Sequence, residues 1–133
     1  MYLLDTNIVS ASRKRHRPVL DWLGKQKQSE LWLSAITIGE LTRGVFMLER
    51  RDHAAATHLA NWLARLRHLY FDRTLGIDEA ICLEWGRIAA MRTRGDADGL
   101  IAATAIVHGL TLVTRNIADF SDTGVRLVNP WDV

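Results

Sequence analysis

Tyr2-Leu3-Leu4-Asp5-Thr6-Asn7 opens the chain, and the reading of this stretch decides the fold. Three apolar residues stop abruptly at an acid, a hydroxyl and an amide, which predicts a short buried strand feeding a helix N-terminus. Leu31-Trp32-Leu33 and Leu110-Thr111-Leu112-Val113-Thr114 repeat that short apolar character, and Arg126-Leu127-Val128 supplies a last strand. Strands separated by one or two helices imply parallel crossovers. The expected fold is α/β: a three-layer sandwich with a short, mainly parallel central sheet and helices on both faces.

The intervening segments carry helical spacing. Pro18 suits a first turn, and Val19, Leu20, Trp22 and Leu23 form a stripe for a helix ending near Lys27. Ser34 is placed to cap a helix through Ile36, Ile38, Leu41, Val45 and Leu48, which pairs as an antiparallel hairpin with the amphipathic stretch 54–69. Tyr70 to Leu75 reads as extended, and Asp78 starts a helix that runs through Ile81, Leu83, Trp85 and Ile88 to Met91. Gly99 to Val107 is apolar on nearly every side, so this helix, headed by Asp98 and stopped by Gly109, is expected to be central and buried.

Composition bounds the class. The 133 residues, 48% hydrophobic and 24% charged, contain no repeat or linker and are read as one globular domain, 1–133. The one cysteine, Cys82, excludes an internal disulfide and a thiolate zinc site, and it reads as a small buried apolar residue. No apolar run approaches the roughly 18 residues of a membrane span, and Asp5 sits where a signal peptide carries Lys or Arg. A cytoplasmic location without membrane attachment is the expectation. The net charge is +2, yet fourteen of the seventeen basic residues are Arg, whose planar fork suits phosphate. They gather with Lys14 and His16 in 13–17, at Arg50-Arg51, and around Arg87, Arg92 and Arg94.

In open parallel sheets, ligands bind just beyond the carboxyl ends of the strands. That rule selects Asp5 after the first strand, and Asn116 and Asp119 after the strand ending at Thr114. Glu40 and Asp98 lie early in their helices, so four acids are candidates to converge at one end of the sheet. Each also has a structural explanation. Asp5 or Asn7 can cap the first helix, Glu40 stands at capping-box spacing from Thr37, Asp98 can cap the buried helix, and Asp119 can fix a turn. Other chemistries lack their motifs: there is no Gly-rich phosphate loop, no nucleophile elbow, and no second acid beside Asp5 of the kind a phospho-acceptor domain needs. His53 and His58 miss the spacing of a helical zinc pair. Hard oxygen donors without imidazole or thiolate point to Mg2+ or Mn2+ shared with a substrate phosphate, hence to phosphodiester hydrolysis.

Four stretches in order carry a family resemblance: Leu3-Leu4-Asp5-Thr6-Asn7, Leu33-Ser34-Ala35-Ile36-Thr37-Ile38-Gly39-Glu40-Leu41, Asp98-Gly99-Leu100-Ile101-Ala102-Ala103-Thr104-Ala105, and Leu112-Val113-Thr114-Arg115-Asn116. They resemble the motifs of PIN-domain nucleases, specifically the toxins of VapBC-type toxin–antitoxin modules. The closing Leu127-Val128-Asn129-Pro130-Trp131 is similar to the FitB-like branch.

The resemblance implies an Mg2+-dependent endoribonuclease in which Asp5, Glu40 and Asp98 hold the cation and Mn2+ substitutes for it. Where many relatives carry an aspartate after the Thr-Arg pair, this chain has Asn116, which keeps an oxygen donor and loses a charge. Asp119 is the candidate substitute, a firm single-ion site with a weaker second one is the expectation, and Thr6, Asn7 and Thr114 match polar positions lining the pocket. Asp96 has no counterpart and reads as an exposed residue opening a helix. The family further implies a homodimer along a basic groove, RNA as substrate, and inhibition by a small antitoxin. With that partner it forms a heterotetramer or larger assembly and touches DNA only through it. The alternative is a catalytically weak PIN-like partner in an operator-DNA-binding regulatory complex.

Overall fold

The computed structural model describes residues 1–133. Five strands form one sheet: β1 (Tyr2–Leu4), β2 (Leu31–Ser34), β3 (Thr74–Leu75), β4 (Thr111–Val113) and β5 (Leu127–Val128), in the order β3-β2-β1-β4-β5. Every pairing is parallel, and the registers Leu3↔Leu112, Leu3↔Trp32 and Leu33↔Thr74 align the strands so that their carboxyl ends share one edge.

Alternation along the strands builds three layers. Leu4, Leu33 and Val113 face a core completed by Ile8, Val9, Val19, Trp22 and Leu63. These come from α1 (Thr6–Arg13), α2 (Arg17–Gly24) and α4 (His53–Leu69). Leu3 and Leu112 face the opposite core, with Ile81, Ile88, Ile101, Ala102 and Phe120 from α5 (Glu79–Met91), α6 (Asp96–His108) and α7 (Ile117–Phe120). Cover on both faces is why the strands read as unbroken apolar runs. The remaining helix, α3 (Ala35–Glu49), packs on α4 as the expected hairpin.

Helix α6 is buried through Ile101, Ala102, Ala103, Thr104 and Ala105. Gly99 is needed for its approach to α5: a Cβ there would stand 3.0 Å from Trp85 Cδ1. Gly109 ends the helix in the left-handed conformation, φ 66°.

Several expectations are corrected. Cys82 is exposed, because Ile81 and Ile88 take the inward stripe of α5 and the next position turns about 100° away. Asp98 does not cap its helix: α6 begins at Asp96, which is exposed, and Gly95 stands at the cap, so Asp98 lies inside the first turn. Helix α2 ends at Gly24, and a 3-10 turn at Gln28–Glu30 leads into β2. Tyr70 and Phe71 form a turn, Tyr70 closing α4 by donating its N–H to Leu66, so β3 is only the pair Thr74–Leu75.

Candidate active site

The aligned carboxyl ends of β1 and β4 place Asp5 and Thr114 side by side. Asp5 caps α1: its Oδ1 accepts from the Thr6 N–H at 2.8 Å. Its Oδ2 accepts from the Thr114 hydroxyl at 2.8 Å and from Asn7 Nδ2 at 3.3 Å. Thr114 Oγ1 in turn accepts from the Asn116 N–H at 3.1 Å. The cap and the pocket position are therefore the same geometry, and the two explanations of Asp5 do not compete.

Glu40 is reached from α3, which Ser34 caps by accepting from the Ile36 N–H at 3.0 Å. The capping box expected between Thr37 and Glu40 is not made. Instead the Thr6 hydroxyl donates to Glu40 Oε1 at 2.7 Å and pairs with the buried Thr37 hydroxyl at 2.9 Å. With Thr6 committed to Glu40, Thr37 is the donor of that pair, and a Thr37-Thr6-Glu40 chain holds the carboxylate in place.

Asp5, Glu40, Asp98 and Asn116 line one cavity of about 430 Å³, together with Thr6, Asn7, Ser10, Lys14, His16, Arg115 and Trp131. Asp5 is only 3% exposed and is joined by no Lys, Arg or His. Burial pushes its carboxyl up from 3.8 to about 6; the Thr114 and Thr6 hydrogen bonds pull against that, and the charges of Asp98 and Glu40 add to it. Asp98 is also held above its ordinary value, by burial first and then by the charges of Glu40 and Asp119, with Arg94 opposing. The acids thus feel one another electrically, yet no three His, Cys, Asp or Glu side chains are gathered tightly enough to hold an ion as they stand. Mg2+ ordinarily takes one or two carboxylates and completes its shell with water and substrate oxygens, so the hard oxygen donors here fit such an ion.

Asp119 stands apart from this cavity. Its carboxylate is near enough to raise Asp98, while its main-chain carbonyl accepts from Arg92 and Arg94, each at 2.7 Å. Arg94 also grips Asp122 with both arms of its fork, at 3.1 and 2.8 Å. This clamp ties the segment after β4 to the loop before α6. Sequence reasoning left Ser10, Lys14, His16, Arg115 and Trp131 off the site, although the basic run 13–17 and the closing motif had singled out three of them.

The PIN domain family profile matches residues 2–125. The plasmid stability protein StbB of Pseudomonas syringae pv. tomato is 36% identical, with 99% of each chain covered. The VapC ribonuclease Y4jK of Sinorhizobium fredii is 34% identical, again over 99% of each. Toxin FitB of Neisseria gonorrhoeae is 34% identical over 98% of this chain and 99% of the relative. The crystal structure of FitAcB from that organism superposes with a TM-score of 0.91 at 33% identity, covering both chains in full. Fold, motif order and full-length similarity agree, and the chain belongs to the PIN-domain family, in the branch of the VapC ribonucleases and the FitB toxin.

Proposed function

We propose that residues 1–133 act as one nuclease domain, an Mg2+-dependent endoribonuclease serving as the toxin of a toxin–antitoxin module. The observation that carries this reading is Asp5: a carboxylate 3% exposed, oriented by neutral donors, without a cationic side chain, in one cavity with Glu40 and Asp98. Similarity to proteins named VapC ribonuclease and Toxin FitB supports the reaction class and the toxin role. A small antitoxin, a homodimer and DNA reached only through the antitoxin belong to the same reading, as does a cytoplasmic setting.

Asp5, Glu40 and Asp98 would hold the ion, with Asn116 as a neutral oxygen donor at the cavity edge. When bound, Mg2+ or Mn2+ supplies positive charge that stabilises a phosphodiester under attack. The chain's own contribution is placement. Thr6 N–H, Thr114 Oγ and Asn7 Nδ2 orient Asp5 without neutralising it. The Thr37-Thr6 hydroxyl pair fixes Glu40 Oε1. Asp119 contributes through its charge on Asp98, outside the cavity.

The test is incubation of purified protein with total RNA and Mg2+ or Mn2+, with and without EDTA, followed by mapping of cut ends. The parent cuts with either cation and stops with EDTA, and Asp98→Asn loses about 10²-fold or more in rate with an unchanged circular dichroism spectrum. Cleavage by Asp98→Asn at the parental rate would overturn the assignment.

A further inference from the structure

The cavity lined by the acids is lined by bases as well. Lys14, His16 and Arg115 line it beside Ser10 and Trp131. None of the three basic side chains has a carboxylate partner; the ion pairs of the molecule use Arg17, His53, Arg73, Arg87, Arg92 and Arg94. Unpaired acids and unpaired bases therefore share one space of about 430 Å³ without joining each other.

Local structure places the bases. Helix α1 closes with the Arg15 N–H donating to Ser12 and the His16 N–H to Ala11, each at 3.0 Å, and with Arg15 in the left-handed region at φ 59°. That conformation costs a residue with a Cβ about 1–2 kcal/mol. It sets the path of the backbone on either side, where Lys14 and His16 both reach the cavity. Trp131 joins them: the Arg115 guanidinium lies 4.4 Å from the Trp131 ring centroid, and His16 meets the same ring edge-on at 6.2 Å. Trp131 is itself positioned by the main chain, its backbone N–H donating to Asn129 Oδ1 at 3.0 Å after the buried Pro130. A guanidinium braced against a ring through its central carbon has no side-chain hydrogen bond to give up, and its planar fork can offer two N–H donors to phosphate oxygens at once.

We propose that Lys14, His16 and Arg115, the last braced on Trp131, form a subsite for an RNA phosphate next to the one presented to the acids. The inference rests on the ribonuclease reading and names how that site holds its substrate. A single carboxylate ligand satisfies only the bases. A strand with successive phosphates satisfies both acids and bases, one phosphate through the cation at the acids and its neighbour through the guanidinium and ammonium.

The experiment measures binding, on an Asp98→Asn background so that RNA stays intact. A labelled single-stranded oligoribonucleotide is titrated by fluorescence anisotropy over a range of salt. Arg115→Ala and Lys14→Ala each weaken binding about tenfold and lower the steepness of log K against log salt by about 0.7, the loss of one phosphate contact. Trp131→Leu gives a smaller loss in the same direction, and Arg115→Lys recovers the salt slope without full affinity. Arg126→Ala, which removes a cation just ahead of β5 at the other end of the strands, stays within about twofold. Lys14 is exposed, so its variant carries no folding burden. Unchanged affinity and slope in both Arg115→Ala and Lys14→Ala overturn the subsite. Failure of the ribonuclease reading shows separately, as a parent that cuts no RNA with either cation, and the binding comparison is read in either case.

Discussion

Asp5 follows β1 and Asp122 follows α7, and the two are handled in opposite ways. Asp5 is buried, approached only by a main-chain N–H, a hydroxyl and an amide, and its carboxyl is raised to about 6. Asp122 is exposed, held by Arg92 and Arg94, and the Arg94 hydrogen bonds keep its carboxyl below the usual range. Neutral donors orient a carboxylate and leave its charge available to a cation from outside. Guanidinium groups cancel the charge and turn the carboxylate into an anchor for a loop. One fold keeps an acid with an unneutralised charge and a structural acid apart by the choice of donor.

The comparison breaks most visibly on pH. Asp5 titrates near 6 in the folded chain and near 3.8 when unfolded, so between those values the folded state holds more protons. Stability from this group is present below about pH 4, falls as pH rises, and is lost above about 6. The full difference corresponds to roughly 3 kcal/mol. In Asp5→Asn the amide nitrogen gives part of that back, so in EDTA at pH 7.5 the variant is about 2 kcal/mol more stable than the parent, with the gap gone near pH 4. Urea midpoints across that range check it, and parallel pH curves for the two proteins would refute it. Adding Mn2+ at pH 7.5 stabilises the parent and leaves Asp5→Asn behind, because only a site that binds the ion gains from it.

The other half of the comparison is tested at Arg94, whose side chain is 5% exposed. Arg94→Met removes a charge-assisted fork and costs about 2 kcal/mol, while the Asp5 transition stays in the same pH window. A silent Arg94→Met would show that the clamp holds nothing. The smallest effect belongs to Arg15. Arg15→Gly relieves the left-handed strain and raises stability by about 1 kcal/mol at most, read as a small upward shift in Tm.

Much of the sheet was legible because its signals are local. The stop at Asp5, the Ser34 cap and the apolar runs of β1, β2 and β4 depend on neighbours in sequence, and the strand-end rule brought Asp5 and Asn116 to one edge. The cap of α6 lies three residues ahead of the one expected at Asp98, because Gly95, with no side chain, gives no capping signal. Glu40 was read against Thr37 three residues away, whereas its donor is Thr6 from another helix. Asp119 follows the same strand end as Asn116, but the short helix α7 leaves it outside the cavity. The basic set was the least legible part. It joins Lys14 and His16 to Arg115 and Trp131, about a hundred positions away in sequence, and its sharp turn at Arg15 lacks the glycine that would have announced it.

Placing β1 in the middle of the sheet also sets an order of assembly. The hydroxyl that orients Asp5 lies 109 positions later in the chain. Both neighbours of β1 must be present before its edges are covered, and the second, β4, comes at Thr111. Long-range pairing of this kind is slow to form. A nascent chain is therefore without an oriented Asp5 until β4 and Thr114 have been made.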